Sequence, residues 1–178
     1  MGSGLRLREE IEASIGCLEE LESLLKQLPE GLYGRRVPAL KASIGSHTRH
    51  ILEHFDSVVL SVDSGLVHFE IRARDRRVEA ETSAALDRIA ELRTWFERAS
   101  VPVDAALATR VSLEGNLSDY VEFGTSFRRE LIYAFLHAVH HMATIAIACE
   151  LLGSPAPDQF GVAPATRVHR LADAKHRP

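Results

Sequence analysis

Nine histidines occur among the 178 residues, and six of them crowd into two short stretches. His47, His50 and His54 lie in "SIGSHTRHILEHFD"; His137, His140 and His141 lie in "FLHAVHHMATIA". The second stretch is otherwise apolar. Imidazole is a poor residue to bury alone, because each ring nitrogen needs a hydrogen bond or a metal. In a helix, residues three and four apart share a face. His47, His50 and His54 then fall in one narrow sector bordered by Ile51, Phe55, Val58 and Val59. His137 and His141 sit one turn apart in a second sector. Neutral imidazole ligates Zn, Ni, Fe and Cu, and two histidines at i and i+4 bind one ion together. Imidazoles pointing inward from two helices predict a divalent metal site in a helical core. Three protein ligands would leave one position open, which is the catalytic arrangement. The spacing leaves open which three bind, and His140 lies off the 137/141 sector. The competing reading is a set of hydrogen-bonded core histidines with no ion.

Two further groups could join such a site. Glu130 lies seven residues before His137 and returns to nearly the same helix face. It is the candidate catalytic group: it could orient a ligand, bind the metal or act as a general base. A glutamate in a first helical turn also simply complements the helix dipole. Arg72, Arg74, Arg76 and Arg77 form a basic cluster balanced by Glu70, Asp75 and Glu79. They read as a solvated loop, or as a source of one arginine that grips a carboxylate or phosphate over the site.

The elements that must position these residues are helical. Apolar periodicity predicts helices over about 5–28, 39–61, 80–98 and 126–152. "LPEG" stops the first, Thr82 or Ser83 can cap the third, and "LLGSP" ends the last with a glycine and a proline. Residues 62–78 read as a long arginine-rich loop. Within 101–124, two short β-prone runs around "EGN" predict a small hairpin before the last helix. The pattern as a whole predicts an all-α four-helix bundle over 1–153. Residues 154–178 read as an irregular tail packing on the bundle or trailing from it.

Bulk properties narrow the function. A net charge of -4 and a pI near 6.1 give no electrostatic footprint for nucleic acid. Leu131–Cys149 contains no Asp, Glu, Lys or Arg, which is long enough for a membrane span, but three histidines near its middle would be costly in lipid. A helix apolar on all sides also suits the centre of a soluble bundle. The chain opens on charged helical sequence with no secretory pattern, and Cys17 and Cys149 read as free thiols of a reducing compartment. The expectation is a soluble, cytoplasmic protein.

The stretches "SIGSHTRHILEHFD" and "FLHAVHHMATIAIACELLG", in this order over about 5–153, resemble the DinB-like superfamily, which includes the YfiT-type metal-dependent hydrolases. The resemblance implies an up-down-down-up bundle, often a homodimer. It implies a Zn or Ni ion held by one histidine of the second helix and an H-x-x-x-H pair of the last, which here fall on His50, His137 and His141. Met142 stands where many members carry Arg or Gln, and His47, His54 and His140 are extra to that triad. The activity implied is that of a hydrolase or a thiol-dependent transferase acting on a small molecule or a low-molecular-weight thiol. The alternative is a non-catalytic metal-binding or stress-response bundle.

Overall fold

The sequence "ASIGS" starts the second long helix with a reciprocal cap. Ser43 Oγ accepts the Ser46 backbone N–H at 3.0 Å, and Ser46 Oγ accepts that of Ser43 at 2.9 Å. Two donors that a helix start leaves unpaired are thereby satisfied. The computed structural model describes residues 4–102, 104–114 and 119–176. Its elements in chain order are α1 (Gly4–Gln27), β1 (Arg36–Val37), β2 (Ala42–Ser43), α2 (Ile44–Ser64), β3 (Leu66–His68), α3 (Arg76–Ala80), α4 (Thr82–Arg98), β4 (Ala106–Val111), β5 (Val121–Ser126), α5 (Phe127–Leu151) and α6 (Pro164–His176).

The four long helices bury their apolar stripes against one another. Leu18 and Leu21 of α1, Ile51 and Phe55 of α2, Ile89 and Phe96 of α4, and Leu131 and Ile145 of α5 are all at most 1% exposed. Fully burying a side chain of this kind contributes roughly 1.5–3 kcal/mol. Phe55 and Phe96 meet edge to face with centroids 5.8 Å apart, a favoured aromatic geometry.

This is not the all-α four-helix bundle that the sequence predicts. Among the described residues, six helices are accompanied by two sheets. β1 and β2 form an antiparallel pair, Arg36 opposite Ser43. β3, β4 and β5 form a mixed sheet in that order: β3 runs parallel to β4, with Leu66 opposite Ala108, and β4 runs antiparallel to β5, with Ala106 opposite Ser126. The hairpin is thus two strands of a three-stranded sheet. The tip residues Gly115 and Asn116 lie outside the described residues. The physical cause is the short apolar run 66–69. Val67, Leu107 and Thr109 alternate inward and pack on the helices, as the two-residue period of a strand requires. The stretch 62–78 is accordingly not one loop: it holds the end of α2, all of β3 and the start of α3.

The tail also departs from its expected irregularity. Residues 164–176 form α6, with Pro164 at its first position, where proline's missing N–H costs nothing. Before it, Gly161 lies on α5 at φ 66°, and a Cβ there would stand 2.4 Å from the Ala143 backbone nitrogen. Only glycine allows this approach. Arg167 then reaches Glu20 of α1 at 2.9 Å.

Candidate metal centre

α2 and α5 pack closely side by side and bring five histidines into one pocket. The ring centroids of His54 and His137 are 4.1 Å apart, and those of His50 lie 4.4 Å from His54, 4.4 Å from His141 and 5.0 Å from His137. His137 and His141 are 4.5 Å apart. His47 joins from the preceding turn, its Nδ1 3.0 Å from Nδ1 of His141. Aromatic rings form the walls: Phe69, just after β3, stacks on His54 at 5.1 Å, and Tyr133 lies parallel to His137 at 5.8 Å.

The hydrogen bonds set the tautomers. His54 Nδ1–H donates to the His50 carbonyl at 2.9 Å, which leaves its Nε2 lone pair free. The Arg72 guanidinium meets Nδ1 of His50. Arginine has only donors, so this nitrogen accepts, and the ring proton of His50 sits on Nε2. That N–H then donates to His137 Nε2 at 2.9 Å. His47 Nε2 is buried with no hydrogen-bond partner among the described residues.

Burial keeps the cluster uncharged. Desolvation first, and the neighbouring imidazoles second, hold His50 down to about 2 and His54 and His141 to about 3. His47 and His137 are lowered too, chiefly by burial and then by the charge of His140. A set of neutral imidazoles is what a divalent cation needs, since protons do not then compete for the lone pairs. One ring nitrogen from each of His50, His54 and His137 lies within 4.8 Å of the others. Two nitrogens that share a tetrahedral zinc stand about 3.3 Å apart, so His50 and His137 need only small shifts to do so.

The structure therefore brings His50 and His137, two of the three residues that the resemblance singles out, to ligand distance of one another together with His54. The third, His141, packs its ring beside theirs but lies outside that group, with Nδ1 paired to His47. The sequence carried a signal for His54: "HILEH" has the same i, i+4 spacing as His137 and His141. His140 is exposed and touches the cluster only from the side, 5.2 Å from His141. Glu130 is fully buried but bonded elsewhere. It accepts the Thr125 hydroxyl at 2.6 Å and an Arg129 N–H at 2.9 Å. Seven residues of helix place it about 10 Å along the axis from His137. The arginine cluster divides: Arg72 folds inward to His50 and to Glu53 at 3.7 Å, while Arg74, Arg76 and Arg77 are exposed. Glu53, 5% exposed, also accepts the Asp75 backbone N–H at 3.0 Å and so anchors the segment carrying Arg72. No sequence period marks that contact.

No family model matches the chain, and no solved structure matches it. A curated relative is an FK506-binding protein 5 of Rhizopus delemar, 37% identical over 99 residues. The match covers 54% of this chain and 26% of the relative, so the chain spans about a quarter of that protein's length. This similarity overturns the DinB-like assignment. The activities inferred from that assignment, metal-dependent hydrolysis and thiol transfer, fall with it, and the stress-response alternative is no better supported.

Proposed function

We propose that the chain is a divalent-cation-binding domain in which two i, i+4 pairs, His50 with His54 and His137 with His141, take up one ion. The observation that carries this is the convergence of His50, His54 and His137, whose ligand nitrogens lie within 4.8 Å of one another, with the His141 ring 4.4 Å from that of His50. All-nitrogen coordination suits zinc or nickel and disfavours magnesium or calcium, which prefer oxygen. Protein purified without a histidine tag should carry zinc or nickel in near-equimolar amount. A chelator should lower the melting temperature and the added ion should restore it, in proportion to RT ln(1 + [L]/Kd). Alanine at His50 or His137 should weaken binding by more than a hundredfold, about 2.7 kcal/mol. Metal-free protein whose melting ignores both chelator and ion would end this reading. The relative's name supplies a second reading, that this chain contributes to binding FK506. The same melting assay with FK506 tests it: a saturable rise in melting temperature, unaffected by chelator, would favour it over the cation.

Arg72 opposes the ion on this reading. Its donor N–H groups hold the proton of His50 on Nε2, the nitrogen facing His137, and its charge repels a cation. Arg72→Ala should therefore bind zinc about tenfold more tightly, or ~1.4 kcal/mol, when titrated at pH 7. Weaker binding in that variant would show that Arg72 supports the site.

A further inference from the structure

α5 is apolar on all sides, yet the fold buries only part of it. Ile132, Leu136, Ile147 and Leu151 are 38%, 53%, 52% and 56% exposed. At about 100° per residue they fall, with Tyr133 and His140, in a sector of roughly 120°, opposite the buried Ala134, Ala138 and Ile145. An exposed apolar strip of this length on a helix marks a contact surface. We propose that it is a two-fold interface, on which a second copy of this chain packs its own α5 antiparallel.

The sequence of the strip identifies the occupant. An antiparallel pairing centred between Val139 and His140 sets Ile132 against Ile147 of the second copy and Leu136 against its Ala143. The same register sets Arg129 against Glu150, both exposed and of opposite charge. A two-fold interface uses one patch twice, so it demands this self-complementarity. A lipid surface demands none of it, and would have to accept His140 in the middle of the strip. The interface is independent of the cation reading, because the strip adjoins the imidazole pocket without including His50, His54, His137 or His141.

The test uses the full chain with chelator present, so that an ion bridging two His140 side chains plays no part. Light scattering should give the mass of a dimer, and Leu136→Glu should give a monomer that still melts cooperatively, at a temperature that, unlike the wild type's, does not rise with protein concentration. Cysteine at the centre reports the register, because the native Cys17 and Cys149 are buried. His140→Cys should form a disulfide-linked dimer on mild oxidation. Ile132→Cys should not, since antiparallel pairing sets its two copies about 22 Å apart. A monomeric wild type would overturn the proposal. So would cross-linking through position 132 but not 140, and so would binding to neutral lipid vesicles that Leu136→Glu abolishes.

Discussion

Acidifying the metal-free protein from about pH 7.5 to about pH 4 is expected to cost it more stability than any single ordinary histidine could account for. In the unfolded chain each histidine titrates near 6.5. In the folded protein His50 is held down to about 2 and His54 and His141 to about 3, with His47 and His137 lowered as well. Below pH 6.5 the unfolded chain therefore binds protons that the folded chain refuses. The contribution is fully present above pH 6.5 and is lost progressively as pH falls towards the folded values. Each such proton weakens folding by about 1.4 kcal/mol per pH unit, or roughly 3–5 °C in melting temperature for a domain of this size. Thermal melts at successive pH values should give a slope of more than one proton over this window, and His54→Leu should flatten it. A slope of zero would mean that the cluster opens to water or is already protonated at neutral pH. A saturating cation should hold the melting temperature up until protons displace it.

Gly45→Ala is expected to destabilise the protein by about 3 kcal/mol, or roughly 10 °C. Gly45 lies in the first turn of α2, five residues before His50, and donates its N–H to the Tyr33 carbonyl at 2.8 Å. A Cβ there would stand 2.0 Å from the Glu79 carbonyl oxygen and 2.9 Å from Tyr33 Cε1. The first neighbour is backbone, so relief requires moving α3. Moving α3 strains the hydrogen bond from the Tyr33 hydroxyl to the Val78 carbonyl. Gly16→Ala is the control: nothing lies within 4 Å of its added carbon, and alanine in a helix interior should raise stability by about 1 kcal/mol. Equal melting temperatures for the two variants would show that α3 does not clamp the start of α2.

Different elements of the fold are legible in the sequence to different degrees. The long helices could be read because each carries an apolar residue every three or four positions over many turns; Ile89, Leu92 and Phe96 are an example. The histidine cluster could be read for the same reason, since equal spacing on two helices implies two facing imidazole rows. β3 could not. Its three residues pair with a strand forty-two positions later, in parallel, and local sequence carries no trace of such a partner. α3 is five residues long and rests on its Asp75 cap, too short for a period to show. α6 had its signal in Pro164, hidden by a proline-rich surrounding. The DinB-like resemblance drew on two histidine-bearing stretches, and short patterns of that kind recur on unrelated helices.

The parallel pairing of β3 with β4 also orders events in time. Leu66 cannot meet Ala108 until the chain between them, which includes α3 and α4, has been gathered in. His50 and His137 are separated further still, by 87 residues. Closing loops of this length costs entropy before any contact repays it, so the rate of such a step is set by topology more than by local preference. The imidazole pocket thus carries the larger loop-closure cost of the two. A cation that needs both helices would lock a chain already assembled, and would leave the rate of assembly itself unchanged.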